Sequence, residues 1–200
     1  TYQGHGPYSA EVEYDHPFIE NKGYTEESFN YFNNYFAIID DIDDALRDMV
    51  ETLRESSEPV VLIFFGDHMP WMGNNESAYL EAGINLELET DEGFYQHYST
   101  PYVIWANDAA KQVLGSDFVG DGPAIGTNYL MNLFFEQAGY TGNAYTQYTT
   151  QLMHEFQDVH NTGICLSDGQ VLRELTPEQQ ERIDEFLDVQ YYWCKHYMTR

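Results

Sequence analysis

An acid and an imidazole stand side by side directly after an apolar run of strand length. Residues 60–65 are six successive apolar residues, and Gly66, Asp67 and His68 follow at once. Such a run predicts a strand buried on both faces, as in a parallel sheet. Ligands bind beyond the carboxyl ends of the strands in open parallel sheets. Because Gly66 permits a turn after the strand, both polar side chains can point to one place.

The chemistry that Asp67 and His68 could perform is metal binding. A carboxylate oxygen next to a neutral imidazole nitrogen suits Mn²⁺, Zn²⁺ or a similar divalent ion. The alternative is structural, with Asp67 capping a loop and His68 serving as an ordinary polar side chain. Their position after a buried strand favours the metal.

The charge balance limits the partners. There are 34 acidic residues against 8 basic ones, a formal net charge of −26. This argues against nucleic-acid binding through phosphate neutralisation and against docking to an anionic membrane surface. No apolar run approaches the roughly 18 residues that span a bilayer, so the anchor of a membrane-bound parent protein would lie outside this segment. With 42% hydrophobic residues the chain can build a core.

The cysteines fit two arrangements. Cys165 and Cys194 are too few for a disulfide framework and are not at metal-binding spacing. One bridge or two free thiols are both compatible with the sequence.

The elements that must position the Asp-His pair can be read from apolar periodicity and capping residues. Thr25 predicts the N-cap of a long helix that ends before Pro59, so a helix leads directly into the strand. A long loop with one short helix is predicted to follow the strand. The further predictions are a strand at 101–105, helices at 127–138 and 144–156, a hairpin at 163–172 and a last helix, capped by Thr176, that ends near Tyr197.

The count of strands is low for the number of helices. The sequence predicts two parallel strands and one hairpin, but four or five helices. A doubly wound domain needs more strands than this to cover the apolar faces of so many helices. We therefore expect residues 1–200 to be a partial domain, the back half of an α/β domain whose front half is absent.

Three motifs in order resemble a known family. They are His-Gly-Pro-Tyr at 5–8, Gly-Asp-His-Met-Pro at 66–70 and Thr-Pro-Tyr-Val-Ile-Trp-Ala-Asn at 100–107. The chain resembles the extracellular catalytic domain of lipoteichoic acid synthases and related phosphoglycerol transferases, which are sulfatase-like members of the alkaline phosphatase superfamily. The closing helix at 186–192 is also similar. The resemblance covers nearly the whole chain but only the back half of the family's domain.

The resemblance implies a fold and a set of site residues. The fold would be a doubly wound, mostly parallel sulfatase-like domain with a small C-terminal hairpin and helix. Asp67 and His68 would be two ligands of one divalent metal, Mn²⁺ or Mg²⁺, and His5 would bind a phosphate oxygen or the departing or arriving hydroxyl. Trp71 follows the metal loop and is a candidate wall of the substrate pocket, with simple packing as the alternative. The family's nucleophilic Thr belongs to the absent front half, so no nucleophile is assigned.

The resemblance also implies a function. The intact enzyme would act at the extracellular face of a bacterial cell membrane, in lipoteichoic acid synthesis for the cell wall. It would move glycerophosphate from a phosphatidylglycerol-like lipid headgroup to a polyol-phosphate acceptor. The alternatives are a phosphodiesterase, a sulfatase or a phosphoethanolamine transferase on the same fold, or a non-catalytic acidic interaction module. We expect the isolated chain to be inactive and to self-associate through an uncovered strand edge.

Overall fold

The structure, a computed structural model, describes residues 4–198. These residues form two compact units. Unit 1 contains residues 4–60 and 64–103, and unit 2 contains residues 61–63 and 104–198. In the described part of the chain, no helix is both long and apolar enough to cross a membrane.

Helix α1, Glu26–Arg54, is the largest element of unit 1. Its start follows the predicted cap, because the Thr25 hydroxyl accepts a hydrogen bond from the Ser28 N–H. The buried residues of α1 all lie near its amino-terminal end, and among them Tyr31 and Phe32 belong to the apolar core of the unit. The remainder of that core is Tyr8, Met72, Ala78, Tyr79 and Leu86.

The rest of unit 1 follows the Asp-His motif. A 3₁₀ turn, Asn74–Glu76, leads into α2, Ser77–Glu81, which is the short helix that the sequence predicts. Helix α3, Asp91–Tyr98, was not predicted, since the sequence reads as loop there. Thr90 caps α3 by accepting from the Gly93 N–H. A Cβ on Gly93 would lie 2.2 Å from the Glu87 carbonyl oxygen, so only glycine fits this turn.

Strands β1, Val61–Phe65, and β2, Tyr102–Ala106, form a two-stranded sheet. The Gly66 N–H donates to the Pro101 carbonyl at 3.1 Å, and the Thr100 hydroxyl donates to the Gly66 carbonyl at 2.8 Å. The end of β1 therefore lies beside the start of β2, as in an antiparallel pair. The interpretation of both as parallel strands is wrong for this pair, because an apolar run indicates burial and not strand direction.

The prediction that β1 is buried on both faces is also wrong within the described residues. Phe64 and Phe65 are 43% and 46% exposed, and Val103 of β2 is 56% exposed. Because β2 is the one strand that pairs with β1 in this part of the chain, the apolar side chains of β1 have too few neighbours to cover them.

Unit 2 is mainly helical, with a small antiparallel sheet. The sheet has the order β3-β4-β5, and Leu166 of β4 faces Asp158 of β3 and Val171 of β5. The elements are α4 Asp108–Leu114, a 3₁₀ turn Thr127–Tyr129, α5 Leu130–Gln137, α6 Ala144–Glu155, β3 Asp158–Val159, β4 Cys165–Ser167, β5 Gln170–Leu172, α7 Pro177–Trp193 and a π-helical turn Cys194–Met198.

The predicted helices and the hairpin of unit 2 are confirmed, whereas α4 and β3 were not predicted. The hairpin is present, and Thr176 forms the predicted capping box with Gln179. Helix α4 was missed because Asn107 reads as a turn residue, whereas its side chain caps the helix by accepting from the Ala110 N–H. The prediction that Thr127 is a cap is wrong, because Thr127 is the first residue of a 3₁₀ turn whose N-cap is Gly126. Cys165 is buried, Cys194 is exposed, and the two are not bridged.

Candidate functional site

The turn after β1 is held close to the segment that begins β2. A Cβ on Gly66 would lie 3.1 Å from the Cβ of Thr100, which is tighter than an ordinary contact. Together with the two hydrogen bonds from Gly66, this fixes the backbone just before Asp67. The Asp-His pair is thus placed by the end of a strand and not by a free loop.

Asp67 and His68 lie together and are accessible to solvent. The Asp67 Oδ2 atom is 3.8 Å from His68 Nε2, and the two side chains are 83% and 57% exposed. Asp67 Oδ1 accepts a hydrogen bond from the His68 N–H at 3.0 Å. The other ring nitrogen, His68 Nδ1, lies 2.7 Å from the Met69 carbonyl oxygen. Because a carbonyl can only accept, the neutral tautomer that fits this contact carries its proton on Nδ1 and its lone pair on Nε2.

His5 lies beside His68. The ring centroids are 5.6 Å apart and the planes are nearly perpendicular. His5 Nδ1 lies 2.7 Å from the Gly6 carbonyl, so this histidine also keeps its lone pair on Nε2. The Tyr8 hydroxyl donates to the Gly4 carbonyl at 2.5 Å and so closes the loop that carries His5. The structure therefore brings the three predicted polar side chains to one place, although their roles stay predictions.

Trp71 adjoins the loop of His5. A Cβ on Gly6 would lie 3.3 Å from the Trp71 Cβ, and the Trp71 ring meets the Tyr31 ring edge-on at 5.2 Å. The side chain is 36% exposed. One part of the ring is therefore packed against α1 and another part is open to solvent, which is compatible with either predicted role.

The donor set at Asp67 and His68 suits a divalent ion. Ligand atoms lie about 2.1 Å from such an ion, so two ligands of one ion can be at most about 4.2 Å apart. The observed 3.8 Å between Asp67 Oδ2 and His68 Nε2 meets this limit. Within residues 4–198, no group of three or more His, Cys, Asp or Glu side chains is arranged to hold a metal. Asp67 and His68 could therefore supply two ligands and would leave most of the coordination sphere open.

Sequence reasoning missed the residues that hold the site in place. Tyr8 is buried and packs against Tyr35 of α1, with ring centroids 5.5 Å apart. Burial, followed by the nearby Tyr35, raises the pKa of Tyr8 to about 12, so its hydroxyl remains a donor at neutral pH. Thr100 bonds the turn at Gly66. Tyr8 and Thr100 stand in the motifs at 5–8 and 100–107, but no local pattern identifies Gly4, Tyr35 or Gly66 as their partners.

Two known proteins are similar to this chain. A putative cyclic beta-1,2-glucan modification protein of Rhizobium meliloti (strain 1021) is 25% identical over 162 residues, which cover 78% of this chain and 24% of that protein. The structure of the Streptococcus pyogenes phosphoglycerol transferase GacH in complex with sn-glycerol-1-phosphate matches with a TM-score of 0.64 and 21% identity. That match covers 98% of this chain and 44% of the GacH chain.

These matches establish the fold and the relation to longer proteins. The structural match confirms the predicted α/β class and the sulfatase-like fold. The chain spans about a quarter of the length of the curated relative and less than half of the structural neighbour. The sulfatase family model matches residues 1–140, which include His5, Asp67, His68 and Trp71. Because this match covers more than half of the 200 residues, the chain belongs to the sulfatase family.

Proposed function

We propose that this chain is the part of a metal-dependent phosphoglycerol transferase that supplies two metal ligands and one imidazole of the substrate site. The observation that carries the proposal is the meeting of Asp67, His68 and His5. The two histidines reach this place from different motifs, and each has its Nδ1 bound to a backbone carbonyl. A metal and a proton carrier side by side are the parts that a phosphoryl transfer needs.

Each residue has a defined role in this proposal. Asp67 Oδ2 and His68 Nε2 would hold Mn²⁺ or Mg²⁺, which when bound acts as a Lewis acid at a phosphoryl oxygen. His5 Nε2 can accept a proton from an arriving hydroxyl, and in its protonated form it can donate that proton to a departing alkoxide. The exposed part of the Trp71 ring offers an apolar wall to the carbon skeleton of the substrate.

The related proteins support a choice of substrates. The complex of GacH with sn-glycerol-1-phosphate supports glycerophosphate as the transferred group. A phosphatidylglycerol-like lipid headgroup would be its donor, and the reaction would then take place at the extracellular face of a bacterial membrane. The name of the Rhizobium relative supports a glycan as acceptor beside the polyol phosphate.

The remaining catalytic parts would come from outside this chain. The two ligands leave most of a metal's coordination sphere open, and this sequence offers no threonine in a nucleophile motif. The chain covers 44% of the GacH chain, which leaves room for a front half that carries the nucleophile and the other ligands. The isolated chain would then bind substrate without turning it over.

The test is binding of sn-glycerol-1-phosphate to the chain in the presence of Mg²⁺, a diamagnetic ion that leaves the NMR signals near the site visible, and binding is followed by NMR chemical shifts. We expect saturable shifts centred on His5 and His68, with binding weakened at least about tenfold in His5→Gln and in Asp67→Asn. His154→Gln is the matched control, because that histidine pairs with Glu136 in unit 2. Equal binding by His5→Gln and the native chain would contradict the proposal.

A hydrolase is the second candidate, and membership of the sulfatase family is the observation that favours it. It predicts release of nitrophenol from a nitrophenyl sulfate or from a nitrophenyl phosphodiester by the chain. We expect release from neither compound. Turnover that disappears in Asp67→Asn would replace the transferase with the hydrolase.

A further inference from the structure

Three asparagines are buried on one face of α1. Asn30, Asn33 and Asn34 are 3%, 0% and 3% exposed, and their spacing of three and four residues places them on the same side of the helix. Asparagine is a poor helix former, and burying an amide is costly unless its donors and acceptor are bonded. This face therefore needs polar partners from another part of unit 1.

The partners are the backbone of residues 9–19, a segment without helix or strand. Asn34 donates to the carbonyls of Ser9 and Glu11 at 2.9 and 2.8 Å and accepts from the Glu13 N–H at 2.9 Å. Asn30 donates to the Ala10 carbonyl at 2.7 Å. These bonds give a non-repetitive backbone the partners that a strand would otherwise provide.

The face also holds the far end of the segment. Asn33 Oδ1 accepts from the N–H groups of Phe18 and Ile19 at 2.6 and 3.2 Å. Asn30 Oδ1 accepts from the Tyr14 hydroxyl at 3.0 Å. Altogether the three amides make seven hydrogen bonds to residues 9–19.

The segment begins directly after the loop that carries His5. Tyr8 packs on Tyr35, the residue next to Asn34 in α1, and its hydroxyl binds the Gly4 carbonyl. Ser9, the next residue, is bonded by Asn34. The backbone of His5 is thus tied to α1 on its carboxyl side through Tyr8 and Asn34.

We infer that Asn30, Asn33 and Asn34 are positioning residues that keep the His5 ring beside His68. They touch neither ring, and they act by fixing the course of residues 9–19. Removing one amide would leave partly buried N–H or C=O groups of the segment without their partner, so the segment would take another path. The inference rests on the proposed function only in giving His5 a catalytic use. The placement itself is a separate claim.

The test is the nuclear Overhauser effect between ring protons of His5 and His68, whose centroids lie 5.6 Å apart. The native chain should show the cross-peak, and Asn34→Leu should lose it. The amide of Glu13, bonded by Asn34, should also exchange with solvent at least about tenfold faster. Ring assignments come from His5→Gln and His68→Gln.

The matched control is Asn132→Leu. Asn132 is a buried asparagine of unit 2 that donates to Thr146, Thr149 and Thr150. This variant should lower the melting temperature as Asn34→Leu does, yet keep the cross-peak. Loss of stability alone therefore cannot imitate the expected result.

A cross-peak that persists in folded Asn34→Leu would overturn the inference. If Asn34→Leu does not fold, Asn34→Asp replaces it. The aspartate can still accept from the Glu13 N–H but cannot donate to the carbonyls of Ser9 and Glu11. Loss of the cross-peak in this variant would support the inference, and its persistence would overturn it. The cross-peak needs neither metal nor substrate. If the chain does not bind sn-glycerol-1-phosphate, the cross-peak should still be present. A failure of the proposed function can therefore be distinguished from a failure of the positioning inference.

Discussion

His5 and His68 share the same local hydrogen bond from the ring to the backbone. In each, Nδ1 lies 2.7 Å from the carbonyl oxygen of the next residue, which is Gly6 for His5 and Met69 for His68. Such a bond fixes the tautomer and leaves Nε2 for a metal or a proton. Because the bond is made within each motif, the state of both rings depends on few other parts of the chain.

Metal affinity should be low in this chain, because in the proposed site Asp67 and His68 would supply only two ligands and water would supply the rest. We expect Mn²⁺ to bind with a dissociation constant on the order of 1 mM by titration calorimetry. Asp67→Asn and His68→Gln should abolish this binding. Asp117→Asn, a change at an exposed aspartate of unit 2, should not alter it. Sub-micromolar affinity would show that further ligands lie within the chain.

At the scale of the elements, local sequence patterns correctly predicted helix caps and a hairpin. The Thr25 and Thr176 caps and the hairpin at 163–172 come from short patterns with a direct physical cause, and the structure has all three. Helix α3 and the antiparallel direction of β2 were missed. Both depend on contacts with distant residues, such as that of Pro101 with Gly66, which no local pattern encodes.

The same distinction explains how much of the site could be predicted. Asp67, His68 and His5 stand in motifs whose residue types reveal their chemistry. The asparagines of α1 could not be recognised, because polar residues in a helix usually indicate a solvated face. Only the structure shows that Asn33 is 0% exposed and bonded to a segment more than a dozen residues away.

The contact between Glu81 of α2 and Thr25, the N-cap of α1, should depend on pH. Glu81 of α2 accepts hydrogen bonds from the Thr25 backbone N–H at 2.8 Å and from its hydroxyl at 2.9 Å. The backbone bond, more than the side-chain bonds, lowers the pKa of Glu81 below its ordinary 4.5. The stabilisation is therefore present above about pH 4.5 and is lost as pH falls through the lower pKa of the folded state.

Glu81→Gln should therefore lower the melting temperature at pH 6 to 7, and the difference from the native chain should shrink as the pH approaches 3. Thermal unfolding followed by circular dichroism across this range measures the effect. Glu89→Gln, at an exposed glutamate of unit 1, serves as the control and should show no such convergence. A difference that is constant with pH would mean that the charge of Glu81 is not involved.

At the scale of the whole molecule, two properties have opposite effects on self-association: the exposed apolar residues of the β1-β2 sheet favour it, and the negative net charge disfavours it. Phe64, Phe65 and Val103 leave apolar surface in water, and exposed strands of this kind pair with other chains. The net charge of −26 opposes association, but salt near 0.15 M screens much of that repulsion.

We expect the chain to form a dimer in sedimentation experiments at that ionic strength, and to dissociate at low salt. Phe65→Lys should give a monomer, because it places a charge in the apolar surface. Val113→Lys, on α4, changes an apolar residue that is more exposed than Phe65 and should leave the dimer intact. A native chain that remains a monomer at all salt concentrations would refute this prediction.

The two cysteines should differ in reactivity, and this difference allows the opening of unit 2 to be measured. Burial, followed by the nearby charge of Asp158, raises the pKa of Cys165 to about 11, whereas Cys194 is exposed. Thiolates, not thiols, attack disulfide reagents, so one cysteine should react with Ellman's reagent in seconds and the other only when β4 separates from its neighbours. The slow reaction would time the opening of unit 2 under native conditions. It should accelerate in urea until both thiols react alike.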